Sequence, residues 1–208
     1  MPLSIHQPST SRENEPLNYE EKNAALDLII RPLPQPRYTI DVAFRSIERV
    51  LSGYDKDWGG INLAPDFQRG HVWNLEQRIA YMEGIFRGSV GSSLRIIQFN
   101  APHWENDRHC GELPDEIQIV DGLQRLTTVR MFLAEEFAIF GNLKASDLDG
   151  SHYAVNRHTY SLQFAIHSFV TKADLLRYYL AINSGGTPHS ASEIERVKGL
   201  LAAATQAE

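Results

Sequence analysis

One cysteine, Cys110, in 208 residues leaves no internal disulfide to staple this chain, and suits a reducing cytoplasm. No apolar run approaches the ~18 residues that a membrane span needs. The N-terminus shows no apolar segment behind basic residues, so no secretory signal is expected and the protein reads as cytoplasmic, with no membrane partner. Basic charge is also scarce: 20 Lys and Arg stand against 26 Asp and Glu, a net charge of −6. General affinity for nucleic acid is therefore not expected, and DNA contact would have to come from a local patch. There is no P-loop either. Gly88-Ser-Val-Gly-Ser-Ser93 is glycine-rich but lacks the Gly-Lys-Ser/Thr ending. Repeats and low-complexity tracts are absent.

What is present is enough apolar residue, 42% of the chain, to build one real core. Residues 1–37 hold six of the ten prolines. They read as an extended, proline-rich arm, with a short helix or strand at 24–30, ahead of a single domain over 38–208. Within that domain the pattern predicts a helix over 38–52, with Thr39 or Asp41 as cap and Gly53 past its end. A short strand follows at 61–63. Asn74 should cap a helix running to Gly88, and strands are expected at 94–99 and 160–167. Helices are expected over 172–182 and after a cap at Ser190 or Ser192. Strands and helices interleave, which argues for an α+β fold with a mixed sheet flanked by helices.

Residues 100–116 form a polar insertion carrying His103, Glu105, Asp107, His109 and Cys110, in no standard zinc spacing, and a solvated hairpin tip is expected there. Asp147-Leu-Asp-Gly resembles the start of a calcium loop, but the twelfth position is His158 rather than Glu, so it reads as a turn.

The stretch that carries chemistry is Gln118-Ile-Val-Asp-Gly-Leu-Gln-Arg-Leu-Thr-Thr-Val129. It starts as a buried strand, turns at Asp121-Gly122, and enters a helix with Leu126, Val129, Phe132 and Leu133 on one stripe. A helix opened this way leaves backbone N–H groups without helical partners, and with the helix dipole they make an anion site. Gln124 and Arg125 add an amide and a guanidinium fork suited to phosphate oxygens. Asp121 stands where it either caps the helix or holds a divalent cation beside phosphates. The plainer alternative is a cap and a surface charge. Pro65-Asp-Phe-Gln-Arg-Gly-His-Val-Trp73 is a polar-aromatic loop that delivers Gln68, Arg69 and Trp73 close together. It is expected to meet the Asp121 corner and the 183–190 turn in one cleft.

Three motifs in order, Pro65–Trp73, Ile119–Thr128 and Ile182-Asn-Ser-Gly-Gly-Thr-Pro, resemble the N-terminal (GmrS-like) domain of GmrSD-type modification-dependent restriction endonucleases. The resemblance spans about residues 38–200 and implies a fold similar to ParB and sulfiredoxin. It implies binding, and in many members hydrolysis, of a nucleoside triphosphate with Mg²⁺ or Mn²⁺. The family's Asp-Gly-Gln-Gln-Arg motif falls on Asp121 to Arg125, with Leu123 in place of the first Gln, which puts hydrolysis rather than binding in question. Catalytic roles then fall on Asp121, Gln124 and Arg125. Nucleotide binding falls on Gln68, Arg69, Trp73, Gly122, Arg125, Thr127, Thr128 and Asn183, and the cation on Asp121 and Asp66. Restriction enzymes of this kind add a nuclease domain that a chain ending at Glu208 leaves no room for. The expectation is thus a stand-alone domain linked to DNA restriction or its evasion. The partners that follow are a nucleotide, DNA, a separate nuclease subunit or host protein, and a second copy of the chain. Two alternatives stay open: a metal-dependent DNA nickase using Asp121, Asp66 and Gln68, and a non-enzymatic protein-binding inhibitor or regulator.

Overall fold

The computed structural model describes residues 18–70, 72–103, 112–183 and 191–207, and divides the chain between Pro34 and Gln35. In the first unit the helix begins earlier than expected, as α1 (Tyr19–Ile30). Asn18 and Glu21 explain the start: each side chain accepts the other's backbone N–H, at 3.0 and 3.1 Å, closing a capping box. The helix buries none of its residues, and Leu28, Ile29 and Ile30 are exposed.

In the second unit five strands form one mixed sheet in the order β1-β5-β3-β4-β2. They are β1 (Tyr38–Ala43), β2 (Ile61–Asn62), β3 (Ile96–Asn100), β4 (Ile117–Asp121) and β5 (Ser161–His167). β1 runs antiparallel to β5, and β3 antiparallel to β4, while the β3–β5 and β2–β4 pairs are parallel. The helices are α2 (Ile47–Asp57), α3 (Leu75–Arg87), α4 (Leu123–Leu133), α5 (Lys172–Asn183) and α6 (Ala191–Ala207). This is the α+β class with a mixed sheet that the interleaved pattern predicts.

β4 is buried on both faces. Ile117 and Ile119 enter a core shared with Ile97, Phe99, Phe164 and residues of α2, α3 and α4. Val120, on the opposite face, joins Phe67, Leu176, Tyr179 and Val197. A strand covered on both sides reads as a near-continuous apolar run, which is why Ile-Gln-Ile-Val was legible in the sequence. The sheet face toward α5 also holds polar groups. Tyr178 donates its hydroxyl to Gln98 Oε1 at 2.6 Å, and His167 Nε2 lies 3.1 Å from the Tyr178 hydroxyl oxygen. His167 is buried against the Phe169 ring, and burial pushes its pKa down to about 4.

One expected element is different. The helix predicted over 38–52 is strand β1, a single 3-10 turn at Phe44–Ser46, and then α2. Ile40, Phe44 and Ile47 have helical spacing, but Thr39-Ile40-Asp41-Val42 alternates and is rich in β-branched residues, and pairing with β5 decides it. Gly53 accordingly lies inside α2, and neither Thr39 nor Asp41 caps a helix. By contrast Asn74 caps α3 in a box with Gln77, and Gly88 closes it in the left-handed conformation, as predicted. The insertion residues 104–111 and the cap position Ser190 lie outside the described residues.

Candidate functional site at the Asp121–Arg125 corner

β4 ends at Asp121, and the chain turns into α4 through Gly122, whose φ is +92°. Glycine is required here on two counts. The conformation is one that side chains disfavour, and a Cβ would lie 2.7 Å from Ile97 Cδ1 and 3.1 Å from the Ile96 carbonyl. α4 starts with no side-chain cap, and its first backbone bond runs from Leu126 N–H to the Gly122 carbonyl at 2.9 Å. The amides of Leu123, Gln124 and Arg125 precede that bond and have no helical acceptor. Asp121, one of two roles left open by the sequence, does not cap. Its Oδ2 instead accepts from Arg125 Nη2, one helical turn further on.

A cavity of about 210 Å³ opens on this corner. Asp121, Gly122, Leu123, Gln124 and Arg125 form one wall. Gln68, Arg69 and Trp73 form another, and Leu94, Ile182 and Asn183 complete it. The structure thus brings together parts of all three motifs. Gln124 does the assembling. Its Oε1 accepts from the N–H groups of Val72 and Trp73, both at 3.2 Å, and its Nε2 donates to the Gly70 carbonyl at 3.0 Å. That amide is buried and spent on the 70–73 backbone, so it fixes the loop rather than facing a ligand. The other end of the loop is held by Arg196, which donates to the carbonyls of Asp66 and Phe67. Gln68 Oε1 accepts from the Tyr179 hydroxyl at 3.3 Å.

Among the described residues, the charges in the cavity are two guanidiniums and one carboxylate. The Arg69 backbone N–H donates to Gln68 Oε1 at 3.3 Å, while its guanidinium makes no hydrogen bond or ion pair among the described residues. Arg125 is 14% exposed and its buried Nε has no partner, while Asp121 is 35% exposed. Tyr178 and Tyr179 stand behind the corner. Burial above all pushes both hydroxyls up to about 12, with the Asp121 charge a smaller contribution in the same direction and Arg69 opposing it at Tyr179, so they stay neutral.

Three expected site residues are elsewhere. Asp66 is not among the residues lining the cavity, and its carboxylate pairs with Lys172 Nζ at 2.5 Å. Thr127 and Thr128 do not line it either, and Thr128 is fully buried with its hydroxyl unpartnered. Both lie about one turn, roughly 4–6 Å, further along α4 than Gln124, so it is distance from the helix start that takes them out of the cavity wall. Leu94 and Tyr179 contribute without having been singled out: Leu94 precedes β3, and Tyr179 reads as an ordinary core residue until its hydroxyl is placed. Asp121 is the one carboxylate in the cavity, and among the described residues no three His, Cys, Asp or Glu gather as a metal cluster. This donor set fits a divalent cation that arrives on phosphate oxygens, as Mg²⁺ does, and does not fit a dedicated cation cage.

Three of the remaining arginines make contacts elsewhere in the fold. Arg130 forks onto Glu48 at 2.5 and 3.1 Å, Arg78 donates to the Trp73 carbonyl, and Arg157 donates to the Ser151 carbonyl. No helix among the described residues is long and apolar enough to cross a membrane.

Searches of curated proteins and of solved structures return no match. The family described as GmrSD restriction endonuclease, N-terminal domain, matches residues 47–156, which include both the Pro65–Trp73 loop and the Asp121–Arg125 corner. The match takes in more than half of the chain, which therefore belongs to the GmrSD N-terminal domain family, a family of DNA restriction.

Proposed function

We propose that the Asp121 cavity binds the polyphosphate of a nucleoside triphosphate, together with a divalent cation, as part of a restriction system. One observation carries the reading: an uncapped helix start, with the Arg69 and Arg125 guanidiniums beside it, lines a hollow in which one carboxylate stands among the described residues. Amides at a helix start and guanidinium forks neutralise several negative charges within a few Å. The bound cation would bridge phosphate oxygens and stabilise charge in phosphoryl transfer. Asp121 is the residue to hold it, and Arg125 and Arg69 the residues to orient the phosphates.

The size of the hollow supports a partial fit. Pockets that enclose a whole small molecule run from about 300 to 1,000 Å³, so a cavity of about 210 Å³ takes the phosphates and leaves the nucleoside at its mouth. Leu123 puts an apolar side chain where the family pattern has an amide, so binding outlasts hydrolysis in this reading. The mixed sheet supports kinship with the ParB and sulfiredoxin folds as part of the same proposal.

Calorimetric titration of Mg²⁺-nucleoside triphosphate into wild type and Arg125→Ala tests the proposal. Binding that weakens at least about tenfold in the variant is expected, the loss typical of one charge-assisted bond. Equal heats, or none in either protein, would remove it. Incubating supercoiled plasmid with Mg²⁺ or Mn²⁺ separates out the nickase alternative, which requires open circles that disappear in Asp121→Ala.

A further inference from the structure

A second cavity, of about 390 Å³, shares no lining residue with the first. It lies between the C-terminal end of α3 and the segment 140–153, and its walls are Phe86, Arg87, Phe140, Leu143, Leu148 and Tyr153. Two of the rings are displayed to solvent: Phe140 is 38% exposed and Tyr153 56%. Both are held in place. Phe140 takes a φ of +49°, a conformation costly for any residue with a side chain. Glu83 maintains it by accepting the Phe140 N–H on Oε1 at 2.8 Å, while Glu83 Oε2 holds Arg87 Nη1 at 3.1 Å. Arg87 in turn lies over the Phe140 ring, 4.7 Å from its centre. On the far wall the Tyr153 N–H donates to Ser151 Oγ at 3.0 Å, and Arg157 Nε donates to the Ser151 carbonyl at 3.1 Å. Phe140 and Gly141, at φ +49° and +90°, turn a tight hairpin closed by Ile139 and Leu143, whose backbone groups pair at 2.9 Å in both directions, and that turn holds the ring outward.

We propose that this cavity is a binding site for one unstacked base of a single-stranded nucleic acid. Its apolar walls and displayed rings suit the flat face of a heterocycle, and stacking of this kind tolerates any base. Arg87, whose side chain is 61% exposed beside a Glu83 partner only 17% exposed, offers positive charge at the rim for a neighbouring phosphate. The volume suits a base and its sugar rather than a duplex. A duplex would need the broad basic surface that this chain, at a net charge of −6, does not gather. An aromatic peptide would find the same rings but no use for the Arg87 guanidinium.

The test is fluorescence anisotropy of a labelled 12-nucleotide oligothymidylate with the full chain. Wild type should bind it in preference to the corresponding duplex, and saturating Mg²⁺-nucleotide should not displace it. Tyr153→Ala and Phe140→Gly should each weaken binding about tenfold, while Tyr153→Phe, which keeps the ring, should bind as wild type does. Phe140→Gly also relieves the backbone strain, so its thermal midpoint should hold or rise, separating lost stacking from lost fold. Absent binding, binding indifferent to both ring deletions, displacement by the nucleotide, or capture of an aromatic peptide in place of the oligonucleotide would each overturn the proposal.

Discussion

Replacing Asp121 by Asn should make the cavity bind a nucleoside triphosphate better when no metal is present. In the structure the Asp121 carboxylate holds Arg125, so an incoming polyphosphate has to take the guanidinium from it. Two unit charges about 4 Å apart attract by about 4 kcal/mol at an effective dielectric near 20. Asp121 is 35% exposed, which screens much of that and leaves roughly 1–2 kcal/mol. Without metal, the anion also meets the repulsion of the freed carboxylate. A divalent cation held by Asp121 would offset both penalties, because its charge would meet the carboxylate and leave Arg125 to the phosphates. Asparagine keeps the shape and one acceptor while deleting the charge. Metal-free affinity should therefore rise about 5- to 30-fold in Asp121→Asn, and the gain on adding Mg²⁺ should largely vanish. Equilibrium dialysis with a non-hydrolysable triphosphate, in Mg²⁺ and in chelator, reads both quantities. Weaker metal-free binding in the variant, or a Mg²⁺ dependence equal to that of wild type, would refute the reasoning.

Three further outcomes follow from the geometry. Gly122→Ala adds a Cβ 2.7 Å from Ile97 Cδ1 in a left-handed backbone. It should cost about 2–4 kcal/mol and lower the thermal midpoint by roughly 5–15 °C, read by calorimetry. Gln124→Ala deletes the bonds to Gly70, Val72 and Trp73, so amide exchange over 70–73 should accelerate. Nucleotide affinity should fall with it, although Gln124 itself faces the loop rather than the ligand. His167 has a pKa of about 4 against 6.5 in the unfolded chain, so the unfolded state binds the extra proton between those values. Stability should fall by on the order of 3 kcal/mol as pH drops from about 6.5 to 4. In His167→Gln, urea melts across that range should show the smaller slope.

The corner at Asp121–Gly122 was legible because two signals coincide there: a strand buried on both faces, and an Asp-Gly break that opens a helical stripe. α3 was legible for similar reasons, since Asn74, Gln77 and Gly88 are local signals that need no tertiary information. Tyr38–Ala43 misled because Ile40, Phe44 and Ile47 happen to fit a helical stripe, and the partner strand that overrides it, Ser161–His167, lies more than a hundred residues on. Gln124 shows a second limit. Its residue type suggests a phosphate ligand, but its three bonds go to backbone more than fifty residues earlier, and only coordinates reveal them. Asp66 is diverted in the same way by Lys172. The Phe140 cavity was not legible because the Phe140-Gly141 turn is local, whereas the wall it faces, Glu83 and Arg87 of α3, lies more than fifty residues earlier.

The most direct test asks whether the first turn of α4 meets the phosphates. In a two-dimensional ¹H–¹⁵N spectrum of the labelled protein, titration with a Mg²⁺-nucleoside triphosphate should move the amides of Gly122, Leu123, Gln124 and Arg125 furthest, with Gln68 and Arg69 close behind. If those amides hold still while others move, or if nothing moves at millimolar ligand, the polyphosphate does not sit at this helix start.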